Sequence, residues 1–97
     1  MKQVKDLANK YGLRTHLDGA RVLNAAAYLK TDPRNIADNF NTVNLCLSKG
    51  LGCPVGSMVI GTKEDVNHAR IMRKILGGAM RQAGILASCG LIALENW

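Results

Sequence analysis

Apolar residues along the chain follow two rhythms, a helical one and an alternating one, and the switches between them mark out the elements. From Met1 to Tyr11, Val4, Leu7 and Ala8 form a stripe at helical spacing, and Gly12 stands where such a helix is closed. Leu13 to Leu17 reads as a short strand that runs directly into Asp18-Gly19. Ala20 to Leu29, rich in alanine and leucine, predicts a helix whose apolar residues go nearly all round, as in a helix buried between layers. Thr31-Asp32-Pro33 breaks it, with Asp32 or Thr31 capping a short helix whose first turn holds Pro33. Thr42 to Leu47 is the clearest strand: Val43, Leu45 and Leu47 fall on one face, Asn44 and Cys46 on the other. Ser48 to Gly56 is a loop rich in glycine, and Ser57 to Ile60 a third strand. Thr62 caps the next helix, with Asp65 placed for a capping box. That helix runs to about Leu76, with Lys63, Asn67, Arg70 and Lys74 on one face and Val66, Ala69, Met72 and Leu76 on another, and Gly77-Gly78 ends it. A final apolar helix runs from about Gln82 to Asn96. Its core, Ala83 to Leu94, falls short of the roughly 20 residues that span a bilayer and predicts a buried helix instead.

This order predicts an α/β fold. The first two strands and their crossover helix form a right-handed parallel unit. The third strand follows a connection too short for a crossover and is expected antiparallel to the second. A sheet of two or three strands with apolar helices on both sides is incomplete, because parallel strands are normally buried inside larger sheets. The expectation is therefore a fragment of a longer α/β domain with a mostly parallel sheet.

Composition narrows the picture only a little. The 97 residues allow one small domain, and a hydrophobic fraction of 47% against 21% charged argues against disorder. Lysine and arginine number 13 against 7 acids, a net charge of +6. The densest basic group is Arg70, Arg73, Lys74 and Arg81, with no aromatic residue interleaved to stack a base. A solvated helix face is its plainest reading, an anion site the next, and nucleic acid the last. Cys46, Cys53 and Cys89 offer no pair at zinc-ligand spacing, so no metal is expected, and free thiols suit a reducing, cytoplasmic compartment. The residues from Met1 to Asp6 lack the apolar core of a secretory signal.

Asp18 and Lys49 each stand just past the C-terminal end of an expected strand, where open α/β sheets bind ligands. Lys49 lies in Ser48-Lys49-Gly50-Leu51-Gly52. A lysine leaving a buried strand between small residues is partly desolvated, which frees its amine to attack a carbonyl. The plainer alternative is a surface lysine in a flexible turn. Asp18 could hold a protonated ring nitrogen, or simply cap the following helix. Arg21, at the helix start, could grip a carboxylate or pair with Asp18 or another nearby acid.

Three stretches, taken together, say more. His16-Leu17-Asp18-Gly19-Ala20-Arg21, the run from Leu47 to Ser57, and the run from Arg73 to Gly84 resemble, in order and spacing, the signature segments of the threonine aldolase family, and the resemblance covers nearly the whole chain. It implies the large domain of a type I pyridoxal-phosphate enzyme that cleaves L-threonine or L-allo-threonine to glycine and acetaldehyde as a dimer or tetramer. No nucleic-acid or membrane partner is expected, given the spread of the basic residues and the shortness of the longest apolar stretch. It further implies that Lys49 carries pyridoxal 5'-phosphate covalently, that Asp18 pairs with the pyridine nitrogen, and that Arg21 helps hold the substrate carboxylate. Ser48 would reach the cofactor phosphate. His16 would orient the Asp18 carboxylate from the same strand face, unless it is a plain packed histidine. Lys74 and Arg81 would approach the site or a neighbouring subunit, or remain a solvated face, and His68 would be a surface residue. Cys53 stands where the family has a small residue, and Asn41 and Asn44 are unusual before the lysine. By the same resemblance, the phosphate cradle, a ring-stacking histidine and a serine for the substrate carboxylate belong to a preceding segment, and a further arginine to a C-terminal domain. The chain is thus expected to be residues 1–97 of a partial cofactor domain, inactive alone. The rival readings are another lyase or aminotransferase of the same fold, a truncated non-catalytic product that associates with a full-length subunit, and a basic nucleic-acid module.

Overall fold

The computed structural model describes all residues, 1–97. The elements follow as α1 (Lys2–Lys10), β1 (His16–Asp18), α2 (Val22–Leu29), α3 (Pro33–Ala37), β2 (Thr42–Cys46), β3 (Ser57–Ile60), α4 (Lys63–Ile75) and α5 (Gly84–Glu95). The three strands form one mixed sheet in the order β1-β2-β3. β1 pairs parallel to β2 with Asp18 opposite Asn44, and β3 pairs antiparallel with Cys46 opposite Ser57. The parallel and antiparallel pairings are thus both as expected.

β1 begins three residues later than its hydrophobic pattern suggests and takes in Asp18. The cause lies in its neighbour. β2 starts only at Thr42, so the ladder can start only at His16. Ahead of it, Thr15 is held by Asn41, whose side-chain Oδ1 accepts from the Thr15 N–H at 2.7 Å while its own N–H donates to the Thr15 carbonyl at 3.0 Å.

Helix ends obey local chemistry closely. Three helices close on a left-handed residue with the paired backbone bonds of a Schellman motif. In α1, Gly12 has φ +63, and the Leu13 N–H donates to the Ala8 carbonyl at 2.9 Å. In α4, Gly77 has φ +79, and the Gly78 N–H donates to the Arg73 carbonyl at 2.8 Å. In α2 the left-handed residue is Lys30, with φ 50 and ψ 47, a conformation that costs a residue with a Cβ about 1–2 kcal/mol. At N-termini, Asp32 accepts from the Arg34 N–H at 2.7 Å with Pro33 at the first helical position, and Thr62 and Asp65 form the expected capping box.

The core is small and lies on one face of the sheet. Val22, Leu23 and Ala26 of α2, Ile36 of α3 and Leu45 of β2 form one buried cluster, with Leu17 and Leu51 against it. β2 alternates as its sequence predicts, with Val43 and Leu45 buried and Thr42, Asn44 and Cys46 half-buried. Two expectations of burial fail. α2 buries only Val22, Leu23 and Ala26, leaving Tyr28 and Leu29 exposed, and α5 buries only Gly90, with Ile85, Leu91 and Ile92 exposed. Both helices carry apolar residues on more sides than these 97 residues can cover.

The whole chain is a slab, 43 × 36 × 17 Å, with a radius of gyration of 14.6 Å. A compact domain of this length would have about 12.5 Å. Its accessible surface, 7406 Å², exceeds the roughly 5,400 Å² expected of a folded monomer of this mass.

Two outcomes follow from the helix ends. Replacing Gly12 by alanine should lower stability by about 1 kcal/mol, and Lys30→Gly should leave it unchanged or raise it by up to about 1 kcal/mol, as read from urea midpoints. The Asp65 carboxyl is held below its ordinary range, first by the Thr62 hydroxyl that donates to it at 2.7 Å, against partial burial and with help from Arg14 at 2.5 Å. Unfolding releases that hold, so the contribution is present above the ordinary aspartate value of about 3.9 and disappears as pH falls through the lower folded one. Asp65→Asn should therefore destabilise near neutrality and match the parent once the medium is acid enough to protonate the folded carboxyl.

Candidate active site

Two adjacent parallel strands deliver the candidate residues to one sheet edge. Asp18 is the last residue of β1, and Lys49 lies three residues past Cys46, the last residue of β2. Both are therefore at the carboxyl ends of neighbouring strands, the edge at which parallel sheets bind ligands.

The Lys49 turn is ordered by its own backbone. The Gly52 N–H donates to the Lys49 carbonyl at 2.9 Å, the Cys53 N–H to the Leu47 carbonyl at 3.0 Å, and the Leu47 N–H to the Gly56 carbonyl at 2.9 Å. Gly52 and Gly56 have φ values of +70 and +126, which a side chain rarely adopts. The turn also rests on α2: a Cβ on Gly50 would fall 2.4 Å from Asn24 Oδ1. Lys49 is thus no residue of a loose turn, but neither is it desolvated as expected. Ser48, Lys49 and Gly50 are all exposed, because nothing in these 97 residues covers the outer side of the turn.

Asp18 is not the cap of α2. The helix starts at Val22 with Arg21 at its N-cap position, two residues later than the composition suggests. Asp18 Oδ1 instead accepts from the Ala20 N–H at 3.2 Å, and from Asn44 Nδ2 on the neighbouring strand at 3.5 Å. Arg21 is exposed and makes no salt bridge; the one ion pair present joins Arg14 to Asp65. Its guanidinium is therefore not spent on Asp18.

His16 occupies the same strand face as Asp18 but does not bond to it. Its Nδ1 meets Thr42 Oγ1 at 2.8 Å, the residue opposite it in the ladder. The expected orienting contact is thus made by Asn44 and not by His16. The physical reason is the register: in-line cross-strand partners lie closer than residues two apart on one strand. The sequence alone gives no role to Asn24, and marks Asn44 only as unusual before the lysine. Asn44 carried a signal, an amide on the polar face of an otherwise apolar strand.

Gly19 locks this end of the sheet. A Cβ there would lie 2.6 Å from the Asn44 carbonyl oxygen and 3.0 Å from Val43 Cγ1. The turn after β1 thus presses on the backbone of β2 at the residue that holds Asp18. Lys74 sits near the end of α4 and Arg81 ahead of α5, and both are exposed. A hollow of about 380 Å³ lies between β3 and α4 beside Arg70 and Arg73 and is lined by none of the expected site residues.

Matched against family models, residues 1–97 fit that of the beta-eliminating lyases. The chain belongs to the beta-eliminating lyase family. Among curated relatives, an Arabidopsis thaliana protein named "Probable low-specificity L-threonine aldolase 2" is 47% identical over 94 residues, 97% of this chain and 26% of its own length. The low specificity L-threonine aldolase of Escherichia coli K12 is 40% identical over 96 residues, 99% of this chain and 29% of its own length. A Listeria monocytogenes crystal structure described as "a putative L-allo-threonine aldolase" superposes with a TM-score of 0.90 at 22% identity, over 98% of this chain and 26% of that one, and so carries the same fold. The chain spans about a quarter of the length of these relatives.

The lyase-family site makes one sharp demand on stability. Gly19→Ala must move backbone, since its nearest obstacle is a carbonyl oxygen of the central strand. It should cost about 1–3 kcal/mol by chemical denaturation, whereas Gly50→Ala, which meets only the end of the Asn24 side chain, should cost less.

Proposed function

We propose that this chain is the central part of the large, cofactor-binding domain of a pyridoxal-phosphate-dependent carbon–carbon lyase that cleaves L-threonine or L-allo-threonine to glycine and acetaldehyde. The observation that carries the reading is the placement of an amine and a carboxylate at the carboxyl ends of two neighbouring parallel strands, in a chain of this family. The residues fit the cofactor chemically. Lys49 offers an amine for its aldehyde. Asp18 offers an oxygen, Oδ2, that no group of the chain occupies, for its ring N–H. When bound, the protonated ring supplies an electron sink for the bond broken beside the amino-bearing carbon.

The chain's own residues would do the rest. Asp18 keeps a proton on the ring nitrogen. Arg21, free of any acid, takes the substrate carboxylate with its two-pronged guanidinium. Ser48 reaches the cofactor phosphate. The exposed apolar faces of α2 and α5 would be covered by the rest of the subunit and its homo-oligomer partners, which would also desolvate Lys49. On this reading the protein is cytoplasmic, and residues 1–97 alone do not turn over substrate, because productive binding requires the phosphate to be held as well.

The test uses the longest natural product containing this chain, loaded with pyridoxal phosphate and given L-allo-threonine. Glycine and acetaldehyde should accumulate, and Lys49→Ala should abolish both the turnover and the visible absorbance that the cofactor gains on linking to an amine. Formation of a keto acid by amino transfer would point to a different member of the fold.

A further inference from the structure

The carboxylate that would meet the ring nitrogen is itself held, and the way it is held assigns a role to a residue on the next strand. We propose that Asn44 is a positioning residue for the cofactor's ring nitrogen: its side-chain amide, with the Ala20 N–H, fixes Asp18 Oδ1 and so commits Oδ2 to the ring. The proposal rests on the lyase reading above and deepens it.

An aspartate at the end of an exposed strand can turn about its last bond and present either oxygen. Here one oxygen takes donors from two directions, the backbone of its own turn at 3.2 Å and the amide of the neighbouring strand at 3.5 Å. Two anchors on one oxygen set the plane of the carboxylate and leave the other oxygen open. The donor from Asn44 must be its NH₂ group, since a carboxylate only accepts. The bond is long, so its effect lies in orientation more than in strength.

Three further features hold the pair in register. Asp18 and Asn44 stand directly opposite one another in the parallel ladder. Gly19 seats the turn on the Asn44 carbonyl, where a Cβ would come within 2.6 Å. One step back, His16 and Thr42 form a second cross-strand pair at 2.8 Å on the same face. An amide also suits the place by charge. A lysine or arginine there would set a cation beside a ring that must itself carry a proton, and an aspartate would set a second carboxylate beside the first.

A purely structural role is unpromising, because Asp18 is exposed and Asn44 half-buried, so water can satisfy either group alone. The role is therefore separable from folding. In the full-length, cofactor-loaded protein, Asn44→Ala should leave the melting temperature within a few degrees of the parent. The cofactor should still link to Lys49, but its dissociation constant should rise about tenfold and kcat fall about tenfold with KM little changed, the scale on which supporting residues act. With a ¹⁵N-labelled ring, the cofactor's nitrogen resonance should move towards the unprotonated value in Asn44→Ala and return partway in Asn44→Ser, which restores a donor; Asn44→Ser serves for all readouts if the alanine variant does not fold. An Asn44→Ala protein whose ring resonance, cofactor affinity and kcat all match the parent, while Asp18→Ala moves them, overturns the proposal. If Asp18→Ala itself leaves the ring resonance in place, it is the underlying assignment of Asp18 that fails.

Discussion

The site depends on a parallel register between two short strands, and on a glycine that lets one strand's exit rest on the other's backbone. With Asp18 opposite Asn44, β1 and β2 end at the same edge of the sheet. Because Gly19 carries no side chain, the chain can leave β1 directly over the Asn44 carbonyl and enter α2. α2 in turn supplies Asn24, against which Gly50 rests, so the turn that bears Lys49 is referenced to the helix whose N-cap position is Arg21. Asp18 thus ends β1, Arg21 follows three residues later at the start of α2, and Lys49 lies three residues past the end of β2. No salt bridge joins them; the one ion pair is Arg14–Asp65.

That economy has a cost visible in the shape. A slab 17 Å thick has room for one layer of helix beside a sheet and little else. Its buried cluster draws on α2, α3 and β2, while α5, the most apolar element, has only Gly90 buried. Gly90 lies against Leu47, where a Cβ would approach Leu47 Cδ1 to 3.2 Å, so α5 meets the loop after β2 at a glycine and leaves Ile85, Leu91 and Ile92 exposed. A stable protein rarely leaves so much aliphatic surface in water. The relatives, some four times longer, have the additional chain with which to cover it.

Much of this was legible in the residues. Helix ends were the most readable, because caps are local: Gly12, Asp32 with Pro33, the Thr62–Asp65 box and Gly77 each act within a turn of their own position. Strand pairing was readable as well, since a loop of glycines and a proline after β2 is too short for a crossover. What the residues hid was anything set by a partner. The start of β1 is fixed by Asn41 and by where β2 begins, and no pattern within Leu13–Leu17 contains that information. The burial expected of α2 and α5 fails because apolar composition says nothing of which surface covers a helix, and these 97 residues leave most of both helices uncovered. The start of α2 lies two residues later than the composition suggests, because Ala20 favours a helix by propensity while the turn bonded to Asp18 holds it outside one.

The exchange of His16 for Asn44 as the partner of Asp18 shows why spacing alone misassigns supporting residues. On one strand, residues two apart share a face, but their side chains rise side by side roughly 6.5 Å apart along the chain. Across a ladder, opposed residues on the same face approach to about 5 Å, and a short amide can bridge that gap where an imidazole two steps back cannot. His16 is then left to its own opposite number, Thr42, and the polar face of the sheet becomes a row of cross-strand couples, extended by Cys46 and Ser57 at 3.5 Å. A row of this kind aligns its members by backbone register and not by long side chains, so it loses little rotamer freedom when a ligand arrives. The Asp18 carboxylate is in this way held through one oxygen by its own turn and by the neighbouring strand.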